Sequence, residues 1–345
     1  MRFLPDRCPR ADCSSRTTGH HRWCFRGRFP RACDGRSVQR FLCLECRRTF
    51  STQTFRLDYR LKKPGLNRTL LGPFVSKVTH RQAARLLGCS RATVAHRLQL
   101  LGEHCERFHR WRLRRARGRN LCSSTFQLDE LETFEHSRRL APVTMPILIE
   151  RKSYFVLDLK TAALPARGGL RRVDRERKVE REKVQGRRRS GSVKAVERCF
   201  ETLAALGSTR SPIHVQTDRK ATYPGILRRR FSGRLVHQRL SSTAKRDYGN
   251  PLFPINHTLA MMRDGISRLV RRTWAASKLR ARLERHAWIW AVWRNYVRGV
   301  TNRAPETSPA MAIGIEEKRW RMGEICTWKV PIRDWFQHSQ LGQIP

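Results

Sequence analysis

Two periods of apolar residues run through this chain, and an element ends wherever one gives way to the other. In residues 124–134, Phe126, Leu128 and Glu130 alternate with Gln127, Asp129 and Leu131, the two-residue period of a strand with unlike faces. Residues 145–150 and 154–159 are apolar runs split by the charged turn Arg151-Lys152-Ser153, which predicts a hairpin beside that strand. Val196, Cys199, Phe200, Leu203 and Leu206 repeat at three and four, so residues 193–206 predict an amphipathic helix. Residues 213–218 form a short β-type run ending in Asp218; the chain then turns into a helix toward Arg230, and Leu235-Val236-His237 predicts a further strand. Residues 255–258 open a long helix through Arg263, Arg268, Leu269 and Arg272, closed by residues 274–278. Residues 283–297 predict a helix whose Trp288, Trp290, Trp293 and Tyr296 belong in a core.

Residues 79–101 carry a second pattern. Thr79 can cap a helix with Gln82 answering three positions on, a capping box, and Ala83, Ala84 and Leu87 give that helix its apolar face. Gly88 suits the left-handed turn that ends it. Ser90 caps the next helix, with Val94, Leu98 and Leu101 inward and Arg91, Thr93, His96 and Arg97 outward. This matches a helix-turn-helix whose second helix enters the major groove; the alternative is a plain helical hairpin. Residues 66–78 supply a preceding helix interrupted at Gly72-Pro73, and residues 106–119 read as a basic helical linker that can lie on DNA phosphates.

Two thiolate pairs precede these helices: Cys8 and Cys13, then Cys43 and Cys46, joined by what reads as a strand-poor loop. Two such knuckles across a hairpin-length spacer make a zinc ribbon with tetrahedral thiolate coordination. Cys24, Cys33, His20 and His21 compete as ligands. Metal would supply folding energy that so small a module lacks.

Charge narrows the class of partner. The 345 residues hold 73 Lys+Arg against 28 Asp+Glu, a formal net charge of +45, and 39% hydrophobic residues, enough for real cores. Such an excess needs a polyanion, and nucleic acid leads over an anionic membrane surface because the charge is spread along the whole chain. Arginine predominates, which suits bidentate phosphate contacts and equally fits a base-composition bias of the gene. In residues 166–191, 11 Lys/Arg stand against 4 Asp/Glu, a solvated loop or frayed helix that reads as a DNA contact arm or a plain insertion. Residues 1–13 are charged and broken by prolines, unlike a signal peptide, and 11 cysteines, several in metal-type spacing, fit a reducing compartment.

Against that basic background an acidic strand is the exception. A carboxylate set mid-strand among apolar neighbours is costly unless a cation binds it. Asp129 and Asp218 can share divalent metal if the sheet brings them side by side, the layout of two-metal phosphoryl transfer with ions about 3.5–4 Å apart. The plainer alternative is two ordinary strand-end aspartates. The order strand, strand, strand, helix, strand, helix, strand, helix is that of an RNase-H-like α/β fold, which puts the first and fourth strands side by side.

These residues together resemble bacterial insertion-sequence transposases of the insertion-sequence-one type and their zinc-ribbon relatives. The likeness runs from Cys8 to about Ile315. It is carried by the knuckle at 43–50, the helix-turn-helix, Leu128-Asp129-Glu130, Thr217-Asp218 followed by Tyr223, and the segment 263–278. In that segment Arg263, Arg268-Leu269, Arg271-Arg272-Thr273 and Ser277-Lys278 fall where the family has its basic helix.

The resemblance implies a DDE-type recombinase with Asp129 as first metal ligand and Asp218 as second. The family's third acid, a glutamate seven positions before a basic residue, falls on Asn256, with Arg263 as the basic partner. An amide oxygen binds Mg²⁺ without charge and so more weakly, and some zinc-ribbon relatives carry asparagine there. Asp264 is the nearest carboxylate, about 100° round a regular helix from Arg263.

Also implied are Mg²⁺ (or Mn²⁺) at the central site, structural Zn²⁺, and double-stranded DNA as element ends and target. Arg91, Thr93, His96, Arg97, Arg263, Arg268, Arg272 and Lys278 would contact that DNA. A homo-oligomer, no membrane, and a cytoplasmic, nucleoid-associated location complete the expectation. The expected organisation is a zinc ribbon at 1–58, a helix-turn-helix domain and basic linker at 62–118, an RNase-H-like α/β catalytic domain at 120–315 and a tail at 316–345. The alternatives are a transposase-derived DNA-binding regulator with an inactive catalytic domain, and a nuclease that hydrolyses without strand transfer.

Overall fold

The computed structural model describes residues 4–5, 8–16, 21–116, 124–206, 212–241, 245, 247–270 and 274–329. It divides into two compact units, Met1–Thr69 with Gly323–Pro345, and Leu70–Met322. His20 and Arg272 lie outside the described residues.

The first unit is built on an antiparallel sheet in the order β1-β2-β3, from β1 (Trp23–Pro30), β2 (Ser37–Cys43) and β3 (Thr49–Ser51). The spacer between the cysteine pairs is therefore a hairpin and not a strand-poor loop. Its first strand is almost wholly exposed, so its arginines mask the alternation that Trp23 and Phe25 begin. Phe41 is the hub: Trp23 meets it edge-on at 5.2 Å and Phe50 stacks on it at 5.4 Å. Arg31, nearly buried, donates to the Asp58 carboxylate at 2.9 Å and to its carbonyl at 2.8 Å, tying the hairpin turn to the end of the module.

The second unit is mixed α/β. After α1 (Leu66–Val75), which begins before the unit boundary, come α2 (His80–Leu86) and α3 (Arg91–Arg115). The Thr79 capping box and the Ser90 cap both form, and Gly88 takes φ +55° between the helices. The mixed sheet follows. It runs β6-β5-β4-β8-β9, from β4 (Thr125–Phe134), β5 (Pro142–Glu150), β6 (Val156–Leu159), β8 (Ile213–Asp218) and β9 (Leu235–Leu240), with β7 (Ala162–Ala163) paired to β5. Strands β4, β5 and β6 are antiparallel neighbours, while β8 and β9 run parallel to β4. Strands β4 and β8 thus lie side by side, as expected for the strands carrying Asp129 and Asp218, with the short β7 as an additional strand between β6 and β8 in the chain. Residues 172–185 form an exposed helix, α4 (Arg172–Gln185), in the basic stretch.

Helices cover both faces of the sheet. On one, α5 (Ser192–Leu206) and α6 (Thr222–Phe231) bury Val196, Phe200, Tyr223 and Leu227. On the other lie α7 (Phe253–Gly265), α8 (Arg280–Val292) and α3. Trp288, Trp290 and Tyr296 are fully buried here, as their pattern predicted, while Trp293, expected in the same core, is half-buried. Helix α3 crosses α8 so closely that a Cβ on Gly102 would sit 2.4 Å from the Arg285 Cβ, which only glycine permits.

Two expectations fail in this layer. Residues 106–116 are not a linker. They continue α3 into the core, with Phe108, His109, Trp111 and Leu113 buried and Arg110 and Arg112 paired to Glu106, Asp158 and Glu316. Nor does one helix run from 255 to 278. Helix α7 ends at Gly265, because Ile266 turns to extended backbone at φ −113°, ψ 109°. Among the described residues, no helix is long and apolar enough to cross a membrane.

Two buried histidines join these layers. His109 Nε2 donates to the Leu157 carbonyl at 2.9 Å, leaving Nδ1 to accept from the Tyr296 hydroxyl at 3.1 Å. His286 Nε2 donates to the Phe74 carbonyl at 2.7 Å. Burial pushes His109 down to about 4 and His286 to about 3, with Arg110 and Arg268 adding to the effect. Above pH ~6.5 both rings are neutral folded or unfolded. Below that, only the unfolded chain takes up protons, so stability falls as pH drops toward 4, by roughly 3 kcal/mol for each such histidine. Urea unfolding at stepped pH checks this: the midpoint should fall between pH 6.5 and 4, and His109→Gln should flatten part of that fall.

Candidate functional site

The register of β4 against β8 sets the centre of the site. Leu128 pairs with Thr217 in parallel register, so one residue on, Asp129 and Asp218 stand level on adjacent strands with side chains on one face. Neighbouring strands are about 4.8 Å apart. Two residues earlier on that face, glutamines link three strands. Gln127 Nε2 donates to Gln216 Oε1 at 2.7 Å, and Gln216 Nε2 to Gln238 Oε1 at 2.7 Å.

That ladder also holds α7. Gln127 Oε1 accepts the Ile255 amide at 3.0 Å, one of the first-turn N–H groups that a helix cannot satisfy internally. Gln127 Nε2 also donates to the Pro251 carbonyl. The next residue after the capped amide is Asn256. Gln127→Leu leaves the amide, the carbonyl and Gln216 short of a partner at a fully buried position, which costs about 1–3 kcal/mol per orphaned group. A lowered urea midpoint with unchanged slope is the expected result.

Asp129, Asp218, Asn256 and Arg263 line one cavity of about 800 Å³. Glu130, Glu132 and Asp264 also reach it, so this is an acidic pocket in a strongly basic chain. Those three have cationic partners. Glu130 pairs with Lys220, accepts from the Tyr223 hydroxyl at 2.9 Å, and takes Thr144 and Ser192 hydroxyls at 2.6 and 2.8 Å. Burial opposes its charge, but the Lys220 ammonium and the two hydroxyls outweigh burial and hold its pKa below the usual carboxylate range. Glu132 pairs with Arg167, and Asp264 with Lys77 at 3.5 Å. Asp218 Oδ1 accepts the Lys220 amide at 3.0 Å and Asp129 Oδ1 accepts the Glu130 amide at 2.7 Å, so backbone fixes both. Lys77, Asn250 and His257 line the cavity without having been marked by any sequence pattern.

Cys8, Cys13, Cys43 and Cys46 converge in the first unit, their sulfurs all within 4.8 Å of one another. Cys8 and Cys46 are 3.6 Å apart, and Cys13 and Cys43 3.7 Å. Tetrahedral Zn–S bonds of about 2.3 Å require sulfurs about 3.8 Å apart, so the cluster is compatible with structural zinc. Burial opposes the Cys13 thiolate, but the Ser15 hydroxyl and amide outweigh it and bring that thiol down to about 7. Burial and its sulfur neighbours push Cys8 up, so packed thiolates of like charge need a cation. Cys24 and Cys33 are exposed and lie outside the cluster.

The residues expected on DNA separate. Arg91 and His96 are exposed on α3. Thr93 is half-buried and shares the Ser90 cap through its hydroxyl at 2.9 Å. Arg97 does not project outward: it is 4% exposed. It falls three after Val94 and four before Leu101, so it belongs to the inward stripe. Arg268 is half-buried and donates to His80 Nε2 at 3.0 Å, while Lys278 is exposed. Both line a second cavity, of about 1000 Å³, together with Arg91 and His96.

No protein-family model matches the chain, and a search of curated proteins returns no match.

Proposed function

We propose that this protein is a transposase. It binds the ends of a mobile DNA element and catalyses divalent-metal-dependent cleavage and strand transfer in an RNase-H-like domain. The level placement of Asp129 and Asp218 on adjacent parallel strands, with Asn256 on the helix capped beside them, carries this reading. The sheet order β6-β5-β4-β8-β9, antiparallel then parallel, supports the RNase-H-like assignment.

The donor set fits Mg²⁺ or Mn²⁺. Two carboxylates and one amide supply hard oxygen ligands, and among hard cations those two are held by one or two carboxylates plus substrate phosphate. Bound there, such ions would activate the attacking oxygen and neutralise the leaving one. Asp129 and Asp218 hold charge at a fixed place because backbone amides orient them. Asn256 completes the set without adding charge. Arg263, in the same cavity, would hold a phosphate oxygen of the strand being cut. The four-cysteine cluster would be a structural zinc ribbon. Double-stranded element ends and target are the substrates, transposition of paired ends calls for a homo-oligomer, and a nucleoid-associated location follows from DNA as partner.

A second reading, a transposase-derived DNA-binding regulator with a silent catalytic domain, is favoured by the neutral amide at Asn256. Incubation with DNA carrying the element's own ends and Mg²⁺ separates the readings. Joined products support the transposase. Hydrolysed ends without joining indicate a nuclease. Binding with no nicking under any divalent ion, together with activity gained in Asn256→Glu, overturns the transposase in favour of the regulator.

A further inference from the structure

The second cavity differs from the acidic one in every respect that matters for a ligand. One wall is the start of α3, with Arg91 and His96, and the start of α2, with His80 and Arg81. The other is formed by residues 267–268 and 274–282, which bring Arg268, Lys278 and Arg282. Among the described residues, no carboxylate lines it. Trp274, on this lining, is fully exposed at 104%. A lone exposed apolar residue is ordinary. An indole left in water on the wall of a cleft lined by cations is a stacking platform among phosphate binders.

The crowding of positive charge is visible in the groups themselves. Burial, then Arg268, Arg282 and Arg91, push His80 down to about 4. Burial and Arg282 bring Arg268 down to about 10. Like charges held together here would be relieved by an anion.

Size and lining together bear on which anion binds. A cavity of about 1000 Å³ is at the upper end of small-ligand sites. A recognition helix reads duplex DNA by entering a groove about 12 Å wide, with the duplex on its outer side. In this protein the outer side of the start of α3 lines the cleft together with residues 267–268 and 274–282. The exposed Trp274 indole among these cations offers a stacking face to an unpaired base, whereas a base already stacked inside a duplex has no free face to present.

We propose that this cleft binds an unpaired DNA strand, with a base stacked on Trp274 and backbone phosphates held by Arg91, Arg268, Arg282 and Lys278. The proposal rests on the reading of the protein as DNA-binding and adds which form of DNA this face takes. The acidic and basic cavities share the stretch 263–270, whose Arg263 and Val270 line the first and Ser267 and Arg268 the second. A strand in the basic cleft would therefore lead toward the carboxylates.

Fluorescence anisotropy with full-length protein, a labelled oligothymidylate and a blunt duplex tests this. Stacking is worth about 1–3 kcal/mol per base, so Trp274→Ala should weaken oligothymidylate binding by about tenfold or more, while Trp274→Phe keeps most of it. Arg282→Ala should reduce the salt slope for the single strand by about 0.7. Duplex affinity should change little in either. Because Trp274 is fully exposed, an unchanged melting curve is expected for both of its variants. Oligothymidylate binding that is the same in wild type and Trp274→Ala overturns the proposal, as does an equal loss for strand and duplex. Wild-type protein that binds neither form of DNA overturns the DNA-binding reading itself, and this proposal with it.

Discussion

Asp129→Ala is expected to lower metal-dependent cleavage of element-end DNA by at least about a thousandfold while leaving the fold intact. The magnitude follows from removing a preorganised group at the reacting centre, which alone costs about 10²–10³, and here also removes metal charge. The intact fold follows from placement. Asp129 is only partly buried, and it stands level with Asp218, so its loss relieves repulsion between like charges. Its neighbour gives the opposite result. The Glu130 carboxylate is enclosed by Lys220, Tyr223, Thr144 and Ser192. Glu130→Ala leaves Lys220 and three hydroxyls without their acceptor, so it should lower the melting temperature first and activity only in consequence. Melting curves and initial cleavage rates on the two variants, side by side, check the contrast. An Asp129→Ala protein that cuts as well as wild type sinks the assignment of this cavity.

Removing the metal from the cysteine cluster should unfold the first unit. Its core is small: Phe41 and Phe50 with the cysteines themselves, and Trp23 and Phe55 at the edge. Structural zinc in such modules supplies on the order of 10 kcal/mol of folding free energy. Cys43→Ser, at a fully buried ligand position, should therefore abolish stoichiometric zinc and expose residues 8–58 to proteolysis. The second unit has its own core of Trp288, Phe155, Phe126 and Phe200 and should keep its thermal transition. Zinc content by elemental analysis, with limited proteolysis of the same samples, checks both halves. Full protease resistance after zinc has been stripped would contradict the structural role.

Much of the second unit was legible because its signals are local. The Thr79 box, the Gly88 turn and the strands carrying Asp129 and Asp218 each follow from a few adjacent residues. The acidic strand stood out because the chain around it is basic. What was not legible depends on distant partners. Gln127, Gln216 and Gln238 look like solvent-facing positions of three strands, yet their amides meet across separations of 89 and 22 residues. The over-long helix at 255–278 came from reading basic residues at helical spacing as one element, when the chain changes direction after Gly265 and sends Arg268 and Lys278 to a different cavity from Arg263. Arg97 was placed by its charge, whereas its spacing from Val94 and Leu101 assigns it to the interior.

The carboxylates level on β4 and β8 are expected to gather a divalent cation. Mn²⁺ binding followed by electron paramagnetic resonance, on zinc-loaded wild type and on the Asp129→Ala and Asp218→Ala proteins, addresses it without needing a DNA sequence. The expected result is protein-bound Mn²⁺ in wild type, weakened or lost in each single variant. Equal Mn²⁺ binding by all three proteins would contradict it.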